Sequence, residues 1–360
     1  MGGPPSGSAA SRQSAWNPTS NGKTVVAYGE ALWDLLPGGA VLGGAPLNFA
    51  CRVGSLGARS VMISRLGRDD LGRRAFEQMQ RLGMETGFIQ WDDALPTGTV
   101  DIEFDEAGSP DYTINPGVAY DAIRLEEGMP GLAAEADCLC FGTLVQRTAA
   151  SRSTLEALLE AFQGRFRLLD INLRRDCYTE ETIRSSLAAA DVLKMNGEEA
   201  PVLAPLYGMA DLGPQPEKLP DIVSGMLQAA DLTHCVCTLG ARGVLAASGE
   251  RGARSGGGPA PNAPASPSAP PRTARVVYLP TYYVDVVDPC GSGDAFTAGF
   301  IHMLLEGRDV VEACRYGNAM GALVAAQKGA TQPLAEEEIR RIMASGGPDE
   351  IDARFEKYRV

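Results

Sequence analysis

The chain has few of the residues on which metal and nucleophilic chemistry usually depends. Its 360 residues include two histidines, His234 and His302, and neither has a partner at metal-ligand spacing. A zinc site and a Ser-His-Asp triad are therefore not expected. The eight cysteines form no Cys-x-x-Cys pair, and we expect them to be buried thiols in a reducing compartment. The chemistry must then rest on carboxylates, backbone N–H groups and basic side chains.

An excess of basic residues and long apolar runs are also missing. The net charge of -13 argues against nucleic acid and anionic membranes as partners. No apolar run reaches membrane-spanning length, and the first residues lack the basic-then-apolar pattern of a signal peptide. We therefore expect a cytoplasmic protein. Hydrophobic residues make up 44% of the chain, which is enough to build a large core.

Two segments have too few large apolar residues to form part of a folded core. Residues 1–22 are rich in Gly, Pro, Ser and Asn and are expected to form a disordered tail. Residues 249–275 are rich in Gly, Pro and Ala, which predicts a flexible insertion in a surface loop, at the tip of a β-hairpin. The sequence between and around them predicts one domain over residues 23–345, followed by a C-terminal extension at 346–360.

Strand-like and helix-like segments alternate along this domain. The predicted strands are 24–28, 60–65, 138–141, 167–170, 192–195 and 235–238, and the predicted helices are 46–56, 71–82, 151–162, 179–190, 219–229, 294–305, 310–326 and 335–344. Such alternation predicts an α/β fold with a doubly wound, mostly parallel sheet between helices. Residues 31–42 and 97–115 interrupt the pattern and predict a few lid strands over the site.

The most informative stretch of the chain is residues 288–294. It lies between residues 281–287, which are predicted to form a strand, and a predicted helix. Gly291, Ser292 and Gly293 allow the N–H groups at the helix start to point at one anion. Asp294 beside them suggests a base next to a phosphate, as in a phosphoryl transferase that activates an alcohol. The alternative is a glycine turn in which Asp294 caps the helix.

A second glycine cluster lies near the first predicted strand. Gly43 and Gly44 allow a ligand to approach the backbone, and Asn48 offers a donor and an acceptor to hydroxyl groups. Asp34 and Glu30 follow the first strand, where ligands bind in doubly wound sheets. A carboxylate can accept hydrogen bonds from two neighbouring hydroxyls, which suits a sugar. The alternative is a plain helix-starting turn.

These two clusters resemble the two signatures of the ribokinase-like (PfkB) carbohydrate kinases. Four further segments that resemble motifs of that family follow in the family's order, at residues 67–72, 170–174, 196–199 and 238–243. The resemblance covers about residues 24–345 and is greatest to bacterial-type fructokinases. It implies a ribokinase-like fold, ATP and Mg²⁺ as cofactors, and ATP-dependent phosphorylation of a sugar hydroxyl.

The resemblance also implies roles for individual residues. Asp294 would take the proton of the sugar hydroxyl, and the N–H groups of residues 291–294 would hold charge on the transferring phosphoryl group. Asn196 and Glu199 would share a helical face and organise Mg²⁺ largely through water. Nucleotide contacts are implied for Thr238, Gly240, Gly243 and Asn318, and contacts with the sugar or phosphates for Asn172 and Arg174. For Arg174 the alternative is a surface salt bridge.

Two residues of the loop at 288–294 depart from the family pattern. Asp288 and Gly329 match positions that hold K⁺ in many members, but Pro289 replaces the usual Thr and has no N–H. Ser292 replaces the usual Ala between the glycines and still supplies its N–H.

The substrate implied by the closest resemblance is D-fructose, giving fructose 6-phosphate. The motif at 170–174 is shared with 2-keto-3-deoxygluconate kinases, and other sugar or nucleoside kinases of the family remain alternatives. A non-catalytic sugar-binding regulatory protein on the same fold is a further alternative, against which the presence of Asp294 argues. Lid strands of this family often pair between protomers, so the resemblance also implies a homodimer.

Overall fold

Near-continuous apolar strands build the centre of the molecule. The computed structural model describes residues 22–36, 38–104, 110–249, 274–345, 347 and 351–360. The strands within these residues are β1 (Thr24–Tyr28), β2 (Leu32–Leu36), β3 (Gly39–Gly43), β4 (Arg59–Gly67), β5 (Ile89–Asp92), β6 (Gly98–Phe104), β7 (Pro110–Ile114), β8 (Cys138–Phe141), β9 (Phe166–Asp170), β10 (Val192–Asn196), β11 (His234–Thr238), β12 (Val244–Ser248) and β13 (Arg275–Leu279).

Nine of these strands form one large sheet in the described part of the chain. Its order is β13-β12-β11-β10-β9-β8-β1-β4-β5. All neighbours are parallel except β12, which runs antiparallel to both β11 and β13. The chain winds outward in both directions from β1, so the predicted doubly wound, mostly parallel sheet is confirmed.

Helices cover both faces of this sheet because buried parallel strands expose apolar side chains on each side. The helices are α1 (Ala45–Ser55), α2 (Asp70–Arg81), α3 (Met129–Glu135), α4 (Ala149–Ala161), α5 (Glu180–Ala189), α6 (Ala200–Leu203), α7 (Leu219–Ala229), α8 (Ser292–Leu305), α9 (Val310–Ala325) and α10 (Glu336–Ser345). The core divides into two large clusters, one of which includes Tyr28 and Leu169 and the other Val25 and Leu168. Alternate residues of each strand therefore serve opposite faces.

A second, smaller sheet stands apart from the large one. Its order is β3-β2-β6-β7, in which β2 and β6 are parallel and the outer strands antiparallel. These strands lie in the two stretches expected to form a lid. β3 leads directly into α1, so the small sheet is joined to the first helix.

Some expectations about single segments were wrong. Residues 281–287 do not form a strand but an extended connection between β13 and α8. The sequence patterns also missed α3 and β5. The hairpin of β12 and β13 is present, whereas residues 250–273 of its tip and residues 1–21 of the predicted tail lie outside the described residues. Seven cysteines are buried as expected, but Cys290 is exposed.

Among the described residues, no helix combines the length and the apolar character needed to cross a membrane.

Candidate active site

The carboxyl ends of the parallel strands gather the predicted site residues at one edge of the sheet. Glu30 follows β1, Asn172 follows β9, Glu199 follows β10 and Gly240 follows β11. In open α/β sheets this edge is where ligands bind, because the strand order reverses there and leaves a crevice. The site is therefore a consequence of the topology before any single side chain is considered.

The amino terminus of α8 faces the same edge. Gly291 precedes the helix with φ 76°, a backbone conformation that side chains disfavour, and a Cβ there would collide with Ala330. The Ser292 N–H donates to Pro289 O at 3.2 Å, so it is engaged in a turn. For Gly293 and Asp294 no acceptor among the described residues takes the backbone N–H. These two groups and the helix dipole are suited to bind an anion, and the anion site stays a prediction.

A side chain of α1 holds the Asp294 carboxyl by a hydrogen bond. Asn48 Nδ2 donates to Asp294 Oδ2 at 2.8 Å, which links the two glycine clusters across 246 residues of sequence. The Asn48 Oδ1 atom is buried and has no partner in the described part of the chain. Gly44 before α1 has φ 112°, and a Cβ there would lie 2.5 Å from Glu30 O. Only glycine permits the turn that points α1 at the site.

Burial makes the Asp294 carboxyl a stronger base than an ordinary aspartate. Loss of hydration raises its pKa to about 6, and the nearby Asp170 carboxylate raises it as well. Lys194, the hydrogen bond from Asn48 and the charge of Arg174 act in the opposite direction. A carboxylate with a pKa near the working pH is suited to proton transfer.

A buried ion pair, Lys194 with Asp170, lies near this carboxyl. Lys194 and Asp170 face each other in the paired strands β10 and β9, with Lys194 Nζ 3.0 Å from Asp170 Oδ1. Thr297 of α8 donates to Asp170 Oδ2 at 3.1 Å. A Cβ at Gly293 would lie 3.3 Å from Lys194 Nζ, so the ammonium sits close to the start of α8. A lysine is rarely buried without such a partner.

Two further carboxylates lie near the lid and the turn before α1. Asp34 of β2 lies against Gly43, where a Cβ would approach Asp34 Oδ2 to 2.8 Å. Glu30 accepts from Ala45 N at 3.2 Å. Burial raises the pKa of Asp34 to about 6 and that of Glu30 to about 7. The positive charge of Arg174 opposes both pKa shifts, so this exposed guanidinium lies near the Asp34 and Glu30 carboxyls.

Asn172 and Arg174 belong to the turn after β9. Asn172 has φ 39° and lines a small cavity together with Glu30 and Asp170. No carboxylate of the described residues lies within ion-pair distance of the Arg174 guanidinium. The alternative of a surface salt bridge for Arg174 therefore gains no support from the structure.

The predicted magnesium pair is close together but not on a helix. Asn196 ends β10, and Glu199 precedes the short α6 in a turn where Asn196 Oδ1 accepts from Glu199 N at 2.9 Å. The expectation of one helical face was therefore wrong. The Glu199 oxygens accept from Asn196 N and Leu173 N, each at 2.8 Å. Each oxygen keeps a second lone pair, which fits Mg²⁺ held through water.

The residues expected to hold a monovalent cation are also neighbours. Gly329 N donates to Asp288 Oδ2 at 3.1 Å, and Cys290 N donates to Asp288 Oδ1 at 3.0 Å. Arg52 of α1 is 1% exposed and donates to the carbonyls of Ala330 and Gln332, which holds this loop against α1. The oxygens of this loop suit K⁺ in kind, although the Asp288 carboxylate already accepts two N–H groups.

A cavity of about 280 Å³ extends from the start of α8 to the predicted nucleotide residues. It is lined by Thr238, Gly240, Gly243 and Asn318 at one end and by Ser292 and Gly293 at the other. Asn318 is buried and donates to Leu279 O at 3.3 Å and to Pro280 O at 3.2 Å. The structure therefore brings all four predicted nucleotide residues to one cavity, which the start of α8 also lines.

The sequence patterns missed some residues that line this cavity and the buried polar network around Asp170. Residues of the extended connection, including Tyr282, Val284 and Val286, line the cavity. The Lys194–Asp170–Thr297 network was also not anticipated. One signal was present in the sequence, since a single lysine within the apolar run of β10 requires a buried partner.

Comparison with known proteins identifies the family of this chain. The family model for "pfkB family carbohydrate kinase" matches residues 39–337. A fructokinase of Klebsiella pneumoniae is 30% identical over 296 residues, which cover 78% of this chain and 84% of the relative. A 2-dehydro-3-deoxygalactonokinase of Haloferax volcanii is 26% identical over 314 residues, covering 84% of this chain and 87% of the relative.

Solved structures share the fold. Fructokinase with bound ATP from Xylella fastidiosa superimposes with a TM-score of 0.72 at 21% identity, covering 89% of this chain and 98% of that chain. Fructokinase from Vibrio cholerae O395 with fructose, ADP and calcium ion bound gives 0.69 at 23% identity, covering 89% and 99%. Because the family model spans most of the chain, and because fold and relatives agree with it, this protein is a carbohydrate kinase of the pfkB family.

Proposed function

We propose that this kinase transfers the γ-phosphoryl group of ATP to a hydroxyl of D-fructose, giving fructose 6-phosphate. The observation that carries the proposal is the position of Asp294. Asp294 follows Ser292 and Gly293, which line the cavity assigned to the nucleotide. Its carboxyl accepts from Asn48 Nδ2 and is influenced by the charge of Arg174, two residues assigned to the acceptor space. A base between two such spaces is the arrangement that phosphoryl transfer to an alcohol requires.

In the proposed reaction Asp294 accepts the proton of the attacking hydroxyl. The hydroxyl oxygen forms a bond to the γ-phosphorus while the bond from that phosphorus to the β–γ bridging oxygen breaks, and ADP leaves with the bond's electrons. The hydrogen bond from Asn48 Nδ2 fixes the rotamer of Asp294. The unpaired Asn48 Oδ1 is placed to accept from a sugar hydroxyl.

The negative charge of the transferring group would meet the amino terminus of α8. The N–H groups of Gly293 and Asp294 and the helix dipole supply fixed positive charge there, which needs no reorganisation during the reaction. Asn196 and Glu199 would hold Mg²⁺ through water, and bound Mg²⁺ neutralises charge on the phosphates. Asp288 and the backbone at Gly329 would hold a monovalent cation beside the same loop.

The choice of acceptor rests on the pocket and on the relatives. Fructokinases of three bacteria lie among the curated relatives at 27–30% identity, which supports a ketohexose. Asp34 and Glu30 are suited to accept from vicinal hydroxyls. Arg174 supports a second candidate, a 2-keto-3-deoxy sugar acid, because its exposed guanidinium is suited to bind a carboxylate. The Haloferax relative is a kinase for such an acid by name.

A coupled assay of ADP release should separate the candidates. The acceptors are fructose, 2-keto-3-deoxygluconate, ribose and adenosine, each with and without K⁺. We expect the highest kcat/KM with fructose, and Arg174→Gln should change that value only a few-fold. If the acid is the preferred acceptor and Arg174→Gln abolishes that preference, the sugar-acid kinase is the correct assignment.

We also propose a homodimer formed through the lid and a cytoplasmic location. Leu36, Val41 and Tyr112 of the small sheet are exposed apolar side chains, which favour burial against a second copy. Light scattering during gel filtration should then give twice the mass of one chain. The mass of a single chain at micromolar concentration would contradict the dimer.

A further inference from the structure

Residues 351–360 pack against the core although the proposed reaction assigns them no role. They include a 3₁₀ helix, Ala353–Tyr358, whose Phe355 is fully buried in the same cluster as the sheet residues. The Phe355 ring lies 5.5 Å from the ring of Tyr278 in β13. Tyr278 also forms a parallel bridge with Arg359. The segment is therefore packed on the outer strand of the large sheet, next to the nucleotide side of the molecule.

The hydroxyl of Tyr278 joins this segment to the loop after β11. It donates to Arg242 O at 2.7 Å and accepts from Asp352 N at 3.1 Å. Arg242 closes the 3₁₀ turn Gly240–Arg242, which lines the nucleotide cavity through Gly240 and Ala241. One buried hydroxyl thus bonds to the backbone on both sides, and its loss would leave both groups without a partner.

Asp352 makes a second connection between the same two elements. Its carboxylate lies 3.7 Å from the Arg242 guanidinium and is 6% exposed. It also accepts from Arg354 N at 3.2 Å and pairs with the Arg354 guanidinium at 2.6 Å. The carboxylate therefore starts the 3₁₀ helix and fixes its direction while it faces the loop.

The loop is a tight turn between the paired strands β11 and β12, and its shape depends on two glycines. Gly240 has φ 61° and Gly243 has φ 96°, so its backbone relies on conformations that are costly for other residues. Within the loop, Leu239 N donates to Gly243 O and Gly243 N donates to Gly240 O. A loop that binds a nucleotide by its backbone must be held close to its bound geometry, since ordering it on binding lowers affinity.

We propose that Tyr278 and Asp352 are positioning residues for ATP, which act by holding the Gly240–Arg242 loop against residues 351–360. The proposal rests on the assignment of this loop to the nucleotide in the proposed function. It makes the segment a functional part of the nucleotide site although none of its residues lines the cavity.

The test is Tyr278→Phe, which removes only the hydroxyl. The KM for ATP and the Kd of MgATP measured by calorimetry should rise about tenfold, which corresponds to the loss of one or two hydrogen bonds. The kcat and the KM for the sugar should stay within about twofold. Asp352→Asn, which keeps the acceptor that starts the 3₁₀ helix but removes the charge facing Arg242, should give a smaller rise of the same kind.

Tyr28→Phe is the matched control, because the Tyr28 hydroxyl is also buried and donates to Ser151 O at 2.6 Å. It should lower the melting temperature while leaving the KM for ATP unchanged. If Tyr278→Phe and Asp352→Asn behave in the same way as this control, the positioning role is wrong.

Ala241→Glu separates this failure from failure of the loop assignment. Ala241 is exposed and lines the cavity, so a carboxylate there should repel the phosphates and raise the KM for ATP. If Ala241→Glu raises that KM and the Tyr278 and Asp352 variants do not, only the positioning role is overturned. If Ala241→Glu has no effect either, the loop does not bind the nucleotide and both assignments fall.

Discussion

The two halves of the active site are built on different physical principles. The half assigned to the acceptor gathers titratable side chains in a buried space, where Asp170 raises the pKa of Asp294 and Lys194 lowers it. The half assigned to the nucleotide is a cavity lined by glycines and small apolar side chains together with larger ones such as Tyr282 and Phe296. The Tyr278 hydroxyl bonds to the backbone of one of its loops. In the proposed function the first half transfers a proton and the second half positions the nucleotide, so substitutions in the two halves should affect different kinetic constants.

The largest expected effect is on the acceptor half, from Asp294→Asn. The change preserves size and removes the base, so kcat should fall by about a thousandfold while the Kd of MgATP stays nearly constant. A steady-state assay of ADP release gives kcat, and calorimetry gives the Kd of MgATP.

Asp309→Asn provides the control for that substitution. Asp309 also lies at a helix start, where it accepts from Val311 N and Glu312 N, but it is exposed and outside the site. Its variant should retain full activity. A substantial rate in Asp294→Asn would show that another group takes the proton.

A smaller but more diagnostic effect concerns pH. The base must be deprotonated, so kcat/KM for the sugar should fall as pH drops below about 6, the pKa of Asp294. This fall at low pH is the acid limb of the pH profile. Asp170→Asn removes a neighbouring negative charge and should move the acid limb to lower pH. Lys194→Met removes the opposing positive charge and should move it to higher pH. The other charged groups that face Asp294 are Arg174, Arg52 and Glu30.

The opposite signs of the two shifts are the useful part of this experiment. Loss of packing alone would lower activity in both variants without moving the limb in opposite directions. The double variant Asp170→Asn with Lys194→Met avoids an unpaired buried charge and should return the limb toward its original position. Shifts of the same sign in both single variants would contradict the electrostatic role of the pair.

The smallest expected effect is on the apolar wall of the nucleotide half. Val286 is 61% exposed and lines the cavity, so Val286→Ala should raise the KM for ATP about two- to fivefold, as expected for the loss of part of one apolar contact. The kcat and the sugar KM should not change. Val202→Ala, at another exposed valine outside the cavity, should leave all constants unchanged. A change in the sugar KM of Val286→Ala would mean that the two halves are not independent.

Prediction from the sequence succeeded where a local signal was strong. β1, β8 and β10 are short, apolar and bounded by turn residues, and the predicted and observed ranges agree within one residue. It failed at residues 281–287, because valines at 284, 286 and 287 have high strand propensity but pair with no strand of the described residues. Two of them line the cavity assigned to the nucleotide instead. The helical spacing assumed for Asn196 and Glu199 failed because a strand-end turn brings them together equally well.

The sequence by itself determined the family, the sheet and the residue that lies at the start of α8, since glycines with an acidic neighbour between a β segment and an apolar helix are readable locally. Only the tertiary structure decided what surrounds Asp294. The bond to Asn48 spans 246 residues, the Lys194–Asp170 pair depends on the register of β10 against β9, and the Tyr278 hydroxyl meets Asp352 74 residues later. Such contacts arise from packing whole elements together, and no local pattern encodes them.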